Sequence, residues 1–340
     1  MVHDLLRGTT PPRPLFLPII FRLGARMENI PYQAYSESAT KITNSLRQIH
    51  GRLRSDGVTC FFDPYLEAEA LGATIDWGAA SGVSQLSWPS PQQKGHMPPG
   101  IRPPEDAVGA GRVPVAIDVT RRCASLYGER AVVMAGVSGP LTLAARLTQM
   151  EGDVFEYDDL PQDAIELAAA TTRVIATALA NAGANAILIN EQVPAAMTEE
   201  VLESWAEHLD PIFNAIRFFE ALPVWTLTGL NGENQNVTLA RSWNAVVCPA
   251  IEAAVDRPAA QTGFDPVALP EAASEHLMGV ALPMNSFEPD RTTDDEFDRI
   301  VDCCLSMTPA VLTTDGDLSP TADAKRLSRI SRWITESAAT

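Results

Sequence analysis

Cysteine is scarce in this chain, five residues in 340, and no two of them form a C-x-x-C pair. That argues against a disulfide framework and against the commonest spaced-thiol zinc motifs, and it makes a reducing compartment the expected home. Positive charge is also short: 25 Lys and Arg stand against 43 Asp and Glu, a formal balance of −18. A nucleic-acid surface needs a basic footprint, so that class of partner is set aside. No stretch reaches the roughly 18 consecutive apolar residues of a membrane span, and the opening M-V-H-D-L-L-R-G-T-T-P-P lacks the apolar core of a secretory leader. A soluble cytoplasmic protein without a membrane partner is the expectation. Finally, no G-x-G-x-x-G follows any predicted strand, which leaves a dinucleotide site without support.

What the chain does have is a regular alternation of short apolar runs with helical patterns. The stretch D-G-V-T-C-F-F-D-P-Y-L-E-A-E-A-L-G reads as a strand, Val58 to Phe62, that delivers Asp63 at its C-terminal end and leads into a short helix closed at Gly72. Before it, L-F-L-P-I-I-F reads as a first strand with Arg22 and Arg26 just beyond its end, and residues Tyr32 to Leu53 as a helix with Ile42, Leu46, Ile49 and Leu53 on one stripe. Residues 79–104 are rich in Ser, Gly and Pro and read as a long irregular loop, the kind that serves as a lid or binding loop. Helix follows from about Glu105 to Tyr127, interrupted near Pro114, and then come A-V-V-M-A-G-V-S, A-I-L-I-N-E, P-V-W-T-L-T, N-A-V-V-C-P, M-G-V-A-L-P and P-A-V-L-T-T-D as strands three to eight. The intervening helices are expected near residues 142–150, 160–182, 198–221, 293–306 and 322–337, with the weakest helical pattern between strands six and seven. Eight strands alternating with helices predict a single-domain (β/α)8 TIM barrel over residues 14–337, preceded by an extension of residues 1–13. A doubly wound open sheet is the competing architecture.

In such a barrel the βα loops converge on the C-terminal rim, so polar residues at strand ends are the candidates for chemistry. Asp63, Glu191 and Asp315 are the candidate acids or bases. Each has a structural alternative, since an acid after a strand also caps the helix that follows. Arg22 and Arg26, spaced i and i+4, suggest a clamp for an anionic substrate, because a guanidinium donates two parallel hydrogen bonds to a carboxylate. Their alternative is pairing with Glu28, Glu37 or solvent. His96, in the long loop, could reach the rim, although a lone histidine in a Pro-rich loop is usually just solvated.

Four segments, P-I-I-F-R-L-G-A-R, C-F-F-D-P-Y-L-E-A-E-A-L-G, G-V-S-G-P-L-T-L-A and L-T-T-D-G-D-L-S-P-T-A-D-A-K-R-L, resemble in their order and spacing the signature regions of the uroporphyrinogen decarboxylase superfamily, which also contains methylcobamide:coenzyme M methyltransferases. The resemblance runs from about Pro14 to Ile334. It implies a barrel with its site at the C-terminal mouth and, in the decarboxylase branch, a homodimer that uses neither metal nor cofactor. Arg22 and Arg26 are similar to the arginines that hold substrate carboxylates, and Asp63 to the aspartate that faces the pyrrole nitrogens. Arg146 stands where decarboxylases carry a site tyrosine, and Gly316 where they carry a late histidine. In the methyltransferase branch a His-x-Cys pair and a later cysteine hold zinc, whereas this chain has Thr226, Leu227 and Thr228 at the first place and T-D-G-D at the second.

The resulting expectation is a decarboxylase-like lyase for a small anionic, carboxylate-bearing molecule, acting by metal-independent acid/base chemistry without a cofactor. Arg22, Arg26, Arg146 and His96 would bind the substrate, and Asp63 with Glu191 or Asp315 would act on it. The alternatives are corrinoid or thiol-linked methyl transfer, and a barrel recruited to different chemistry.

Overall fold

Strands that are apolar on both faces need cover on both sides, and a ring of parallel strands inside a ring of helices supplies it. In the computed structural model, which describes residues 2–9, 11–77, 85–89, 92–151, 155–196, 198–229, 243–250 and 278–337, eight parallel strands among the described residues take that arrangement. In chain order the elements are α1 (Val2–Leu6), β1 (Leu15–Phe16), α2 (Phe21–Met27), α3 (Tyr32–Ser36), α4 (Ala39–Leu53), β2 (Gly57–Phe61) and α5 (Leu66–Ala70), then the hairpin β3 (Thr74–Asp76) and β4 (Gln85–Ser87). They continue with α6 (Val113–Tyr127), β5 (Val132–Ser138), α7 (Pro140–Leu147), α8 (Gln162–Asn181), β6 (Ala186–Gln192), α9 (Glu199–Phe218), β7 (Leu222–Thr228) and β8 (Val246–Pro249). The last elements are β9 (Gly279–Leu282), α10 (Asp294–Ser306), β10 (Val311–Thr314) and α11 (Ala324–Ser337). The fold is a (β/α)8 barrel.

The barrel strands ladder in two arcs, β2-β5-β6-β7-β8 and β1-β10-β9. At one seam the parallel bridges Val247–Met278 and Ala250–Ala281 join β8 to β9. At the other seam Asp56 does the joining: its main-chain N–H donates to the Phe16 carbonyl at 3.2 Å. Its carboxylate accepts the Phe16 N–H at 2.9 Å and a forked pair of bonds from Arg13 at 2.6 and 2.7 Å. Thr59 Oγ1 adds a bond to the Pro18 carbonyl at 2.8 Å. Every residue of β2, β5 and β8 is buried, as the continuous apolar runs require.

Several local expectations are corrected. The first strand, expected to run to Phe21, stops at Phe16; residues 17–20 continue without helix or strand, and Phe21 opens α2, which carries Arg22 and Arg26. The pattern from Tyr32 to Leu53 is two helices, because Ser38 caps a fresh start by accepting the Lys41 N–H. Pro114 starts α6 instead of interrupting it, since the first turn of a helix has no use for the missing N–H. The loop of residues 79–104 contains β4, paired antiparallel to β3. The expected helix between strands six and seven falls on residues 251–277, outside the described residues.

Candidate active site at the barrel mouth

Asp63 leaves β2 turned into the barrel's C-terminal rim and is only 4% exposed. One carboxylate oxygen closes the turn into α5 by accepting the Tyr65 N–H at 2.9 Å. The other accepts from the Tyr32 hydroxyl and from Arg112 Nη1, both at 2.7 Å. The same guanidinium donates from Nε to Glu69 at 2.8 Å and lies 4.8 Å from the centre of the Trp77 ring. Burial by itself would push the Asp63 carboxyl up, but Arg112, Tyr32 and the Tyr65 N–H outweigh it and hold the group below its ordinary 3.8. Burial likewise works against the charge on Arg112, and Asp63 and Glu69 more than offset it. Asp63 is thus an ionised carboxylate with three donors, fixed by groups from three segments of the chain. Its helix-capping alternative accounts for one oxygen only.

The arginines predicted to act together are separated by the fold. Arg22 is half-buried with its guanidinium 5.1 Å from the centre of the Tyr32 ring, and it makes no ion pair among the described residues. Its main-chain N–H is taken by both oxygens of Asp317, at 3.1 and 2.9 Å. Burial pushes Asp317 well above the usual carboxylate range, against the pull of Arg22. Arg26 is exposed, one turn further along α2, so the expected i, i+4 clamp does not face the site as a unit. Arg146 is 5% exposed; its Nη1 donates to Ser138 Oγ at 2.9 Å, its Nη2 to Glu151 at 2.7 Å, and its guanidinium lies 5.4 Å from the centre of the Tyr65 ring. Ser138, the last residue of β5, also donates its N–H to Glu67 at 3.0 Å. Burial raises the Glu67 carboxyl to about 7, and its second oxygen has no hydrogen-bond partner among the described residues.

Glu191 is drawn to a different task. Its oxygens accept from Thr142 N–H and Oγ1, both at 2.7 Å, and from Leu141 N–H at 3.4 Å. It therefore caps α7, the helix after strand three, and not the helix after strand four, its own strand, to which its place in the sequence points. Gly139 is required for this approach: a Cβ there would lie 2.3 Å from the Glu191 carboxyl carbon. Burial raises Glu191 to about 7 despite those donors. Asp315 is half-buried, accepts the Met284 N–H at 2.8 Å, and is raised by burial to about 6. Its carbonyl takes a bond from the Asn190 side chain at 3.0 Å, and the same amide reaches Thr226 Oγ1 at 3.0 Å. His96 is exposed, its ring 3.3 Å from the Lys94 carbonyl, and its loop is tied to the end of α7 through the Gly95 N–H and the Thr148 carbonyl. The structure brings it to none of the three acids.

Arg112, Tyr32 and Tyr65 were not found by reading strand ends. Arg112 lies 49 residues from Asp63, at the position before a proline-started helix, and Tyr32 sits inside a helical pattern. Tyr65 had a signal, two residues after Asp63 in the same motif. A groove of about 510 Å³ between α4 and α6, lined by Asn44, Arg47, Arg121 and Arg122 among others, holds none of these residues.

A zinc–thiolate centre of the methyltransferase kind does not fit the donors present. The Thr226 hydroxyl is 3.3 Å from the Ile189 carbonyl and the Thr228 hydroxyl 3.2 Å from that of Glu191, while Leu227 is buried. Asp315 and Asp317 receive main-chain N–H groups. Cys248 is buried in β8, where burial pushes its thiol strongly up. Among the described residues no three His, Cys, Asp or Glu side chains form a metal-sized group. Hard oxygen donors already engaged with the main chain do not supply the soft ligands of such a centre.

A closed parallel barrel with ionisable groups gathered at its C-terminal rim is the architecture of barrel enzymes. The chain belongs to the uroporphyrinogen decarboxylase (URO-D) family, whose model matches residues 2–219. Among solved structures it is similar to a methyltransferase from Methanosarcina mazei, with a TM-score of 0.77 at 14% identity over 98% of this chain and 97% of that one. A B12-independent methionine synthase from Shewanella sp. follows at a TM-score of 0.52, 11% identity, 88% of this chain and 89% of that one. A D-allulose 3-epimerase from Methylomonas sp. gives 0.50 at 10% identity over 97% and 98%. At such identities the likeness is one of fold. No curated protein matches the chain. No helix among the described residues is long and apolar enough to cross a membrane.

Proposed function

We propose that this protein is a decarboxylase-like lyase for a small molecule bearing carboxylates. The observation that carries the reading is that Tyr32 stands between Asp63, held below its ordinary carboxylate range, and Arg22, whose guanidinium makes no ion pair among the described residues. Loss of carbon dioxide leaves an electron pair on the substrate, which must flow into an electron-deficient, protonated sink. An anion held rigidly beside that sink stabilises it without reorganising. Because three donors hold Asp63 below 3.8, its role is a fixed counter-charge rather than a proton carrier. Arg22 and Arg146 supply the positive side that orients the substrate's acids. The open face of the site is formed by the half-buried Arg22, Tyr32, Tyr65 and Trp77. Asp315, with one oxygen taken by a single N–H, is the acid that returns a proton to the carbon left by carbon dioxide; Glu191, occupied at both oxygens, is not.

The test is release of carbon dioxide from carboxylates that carry an electron sink, uroporphyrinogen first, with product identified by mass. Turnover that disappears in Asp63→Asn while binding persists supports the reading. The second reading, methyl transfer, is favoured by the fold likeness to the Methanosarcina mazei methyltransferase. Stoichiometric zinc after gentle purification together with methylation of a thiol acceptor would replace the first reading by the second.

A further inference from the structure

Arg146 is a buried cation with an exposed partner. Its side chain is 4% exposed, while that of Glu151, its ion-pair partner, is 40% exposed. The contact is made by a chain reversal: α7 ends at Leu147, Gln149 adopts a left-handed φ of +58°, and the Met150 N–H returns to the Ala145 carbonyl at 2.7 Å. Glu151 is thereby carried back onto the helix it has just left. On the inner side the guanidinium has Ser138 Oγ and the Tyr65 ring, and its Nε is buried without a hydrogen-bond partner among the described residues. Glu67, a second acid in electrostatic reach of Arg146, uses one oxygen on the Ser138 N–H, and its other oxygen has no hydrogen-bond partner among the described residues.

We propose that Glu151 is a built-in place-holder for an oxyanion of the substrate: a carboxylate entering the mouth displaces Glu151 from Arg146 and takes the guanidinium's Nη2 together with its unused Nε. This rests on the reading of the mouth as an anion site. The physical argument is the asymmetry of the pair. A guanidinium stripped of water needs an anionic partner at all times, because an unpaired buried charge is costly. Glu151 satisfies that need in the resting protein from a position where its own side chain keeps 40% of its surface in water, so releasing it costs less than releasing a fully buried acid would. A ligand carboxylate in contact with both Nε and Nη2 forms the forked geometry that Glu151, bound through a single oxygen, does not.

The experiment is calorimetric titration of the full-length chain with succinate and with citrate. Glu151→Gln is expected to tighten whichever of the two binds by about tenfold, the value of one charge-assisted contact no longer competed for. Arg146→Lys should weaken binding in both the native and the Glu151→Gln backgrounds, and Arg22→Ala should weaken it in the native one. If Arg22→Ala weakens binding while Glu151→Gln leaves it unchanged or looser, the mouth binds anions but Glu151 only braces Arg146, and the place-holder role is overturned. Brace and place-holder also differ in a second readout: a brace lowers the melting temperature of Glu151→Gln with affinity unmoved. Absence of any binding by the native and Glu151→Gln proteins overturns both this inference and the anion-site reading beneath it.

Discussion

Asp63 and Glu191 are the same kind of residue in the same kind of place, acids at the C-terminal ends of parallel barrel strands, and the protein uses them in opposite ways. Asp63 meets a guanidinium, a phenol and one N–H, and stays ionised below its ordinary range. Glu191 meets neutral donors, chiefly those at the start of a neighbouring helix, and burial drives its carboxyl up to about 7. Burial acts on both; the presence or absence of a cation decides the sign. Position at a strand end therefore nominates a carboxylate, and the partner contributed from elsewhere assigns its work.

The sharpest way to break this contrast is to remove the cation. Arg112→Met leaves Asp63 without its cation and should cost about 3–5 kcal/mol in denaturant unfolding, the usual penalty for halving a buried ion pair; Asp63→Ala, which leaves Arg112 on Glu69, should cost less. The double variant should recover part of that loss, and a simple sum of the two single losses would mean the pair is not coupled. On the Glu191 side, Gly139→Ala places a methyl 2.3 Å from the Glu191 carboxyl carbon and should cost about 1–3 kcal/mol through overpacking and loss of the α7 cap. Combining it with Glu191→Ala should relieve much of that.

A subtler measurement uses pH. Glu191 and Glu67 bind their protons more tightly folded than unfolded, so their contribution to stability is fully present below about 4.5 and is lost as pH rises through about 7. Glu191→Gln should flatten the decline of stability across that window, and Glu67→Gln should do the same independently. Asp63 has the opposite sign: its contribution is present above 3.8 and is lost as pH falls through its lower folded value, so it leaves this window untouched. The smallest effects belong to Arg26→Ala and His96→Ala, each expected to change stability by less than about 0.5 kcal/mol and to leave anion binding as it was. A loss with Arg26→Ala equal to that with Arg22→Ala would restore the two-arginine clamp.

The barrel was legible because its signal is repeated: apolar runs of strand length recur with helical patterns between them, and errors at single boundaries do not disturb the count. Where boundaries failed, a local device had overridden the pattern. Ser38 split one helical stripe into two, and three residues of β4 gained their pairing only from β3 across the intervening chain. Asp63 could be nominated from sequence because strand, acid and turn are contiguous. Its partners could not, because Arg112 and Tyr32 arrive from the starts of two other helices and carry no mark of that destination. The capping role of Glu191 was half legible: an acid after a strand does cap a helix, but lateral contact between adjacent βα units chose the neighbour's helix over its own.

The Asn190 amide, bonded to Thr226 on one side and to the Asp315 carbonyl on the other, links the two separately laddered arcs of the ring. It acts as a tie-rod across an arch made of two segments. With it in place the five-strand and three-strand portions should open to solvent deuterium together. With Asn190 replaced by leucine, amide exchange should resolve two cooperative blocks that part along the lines between β1 and β2 and between β8 and β9.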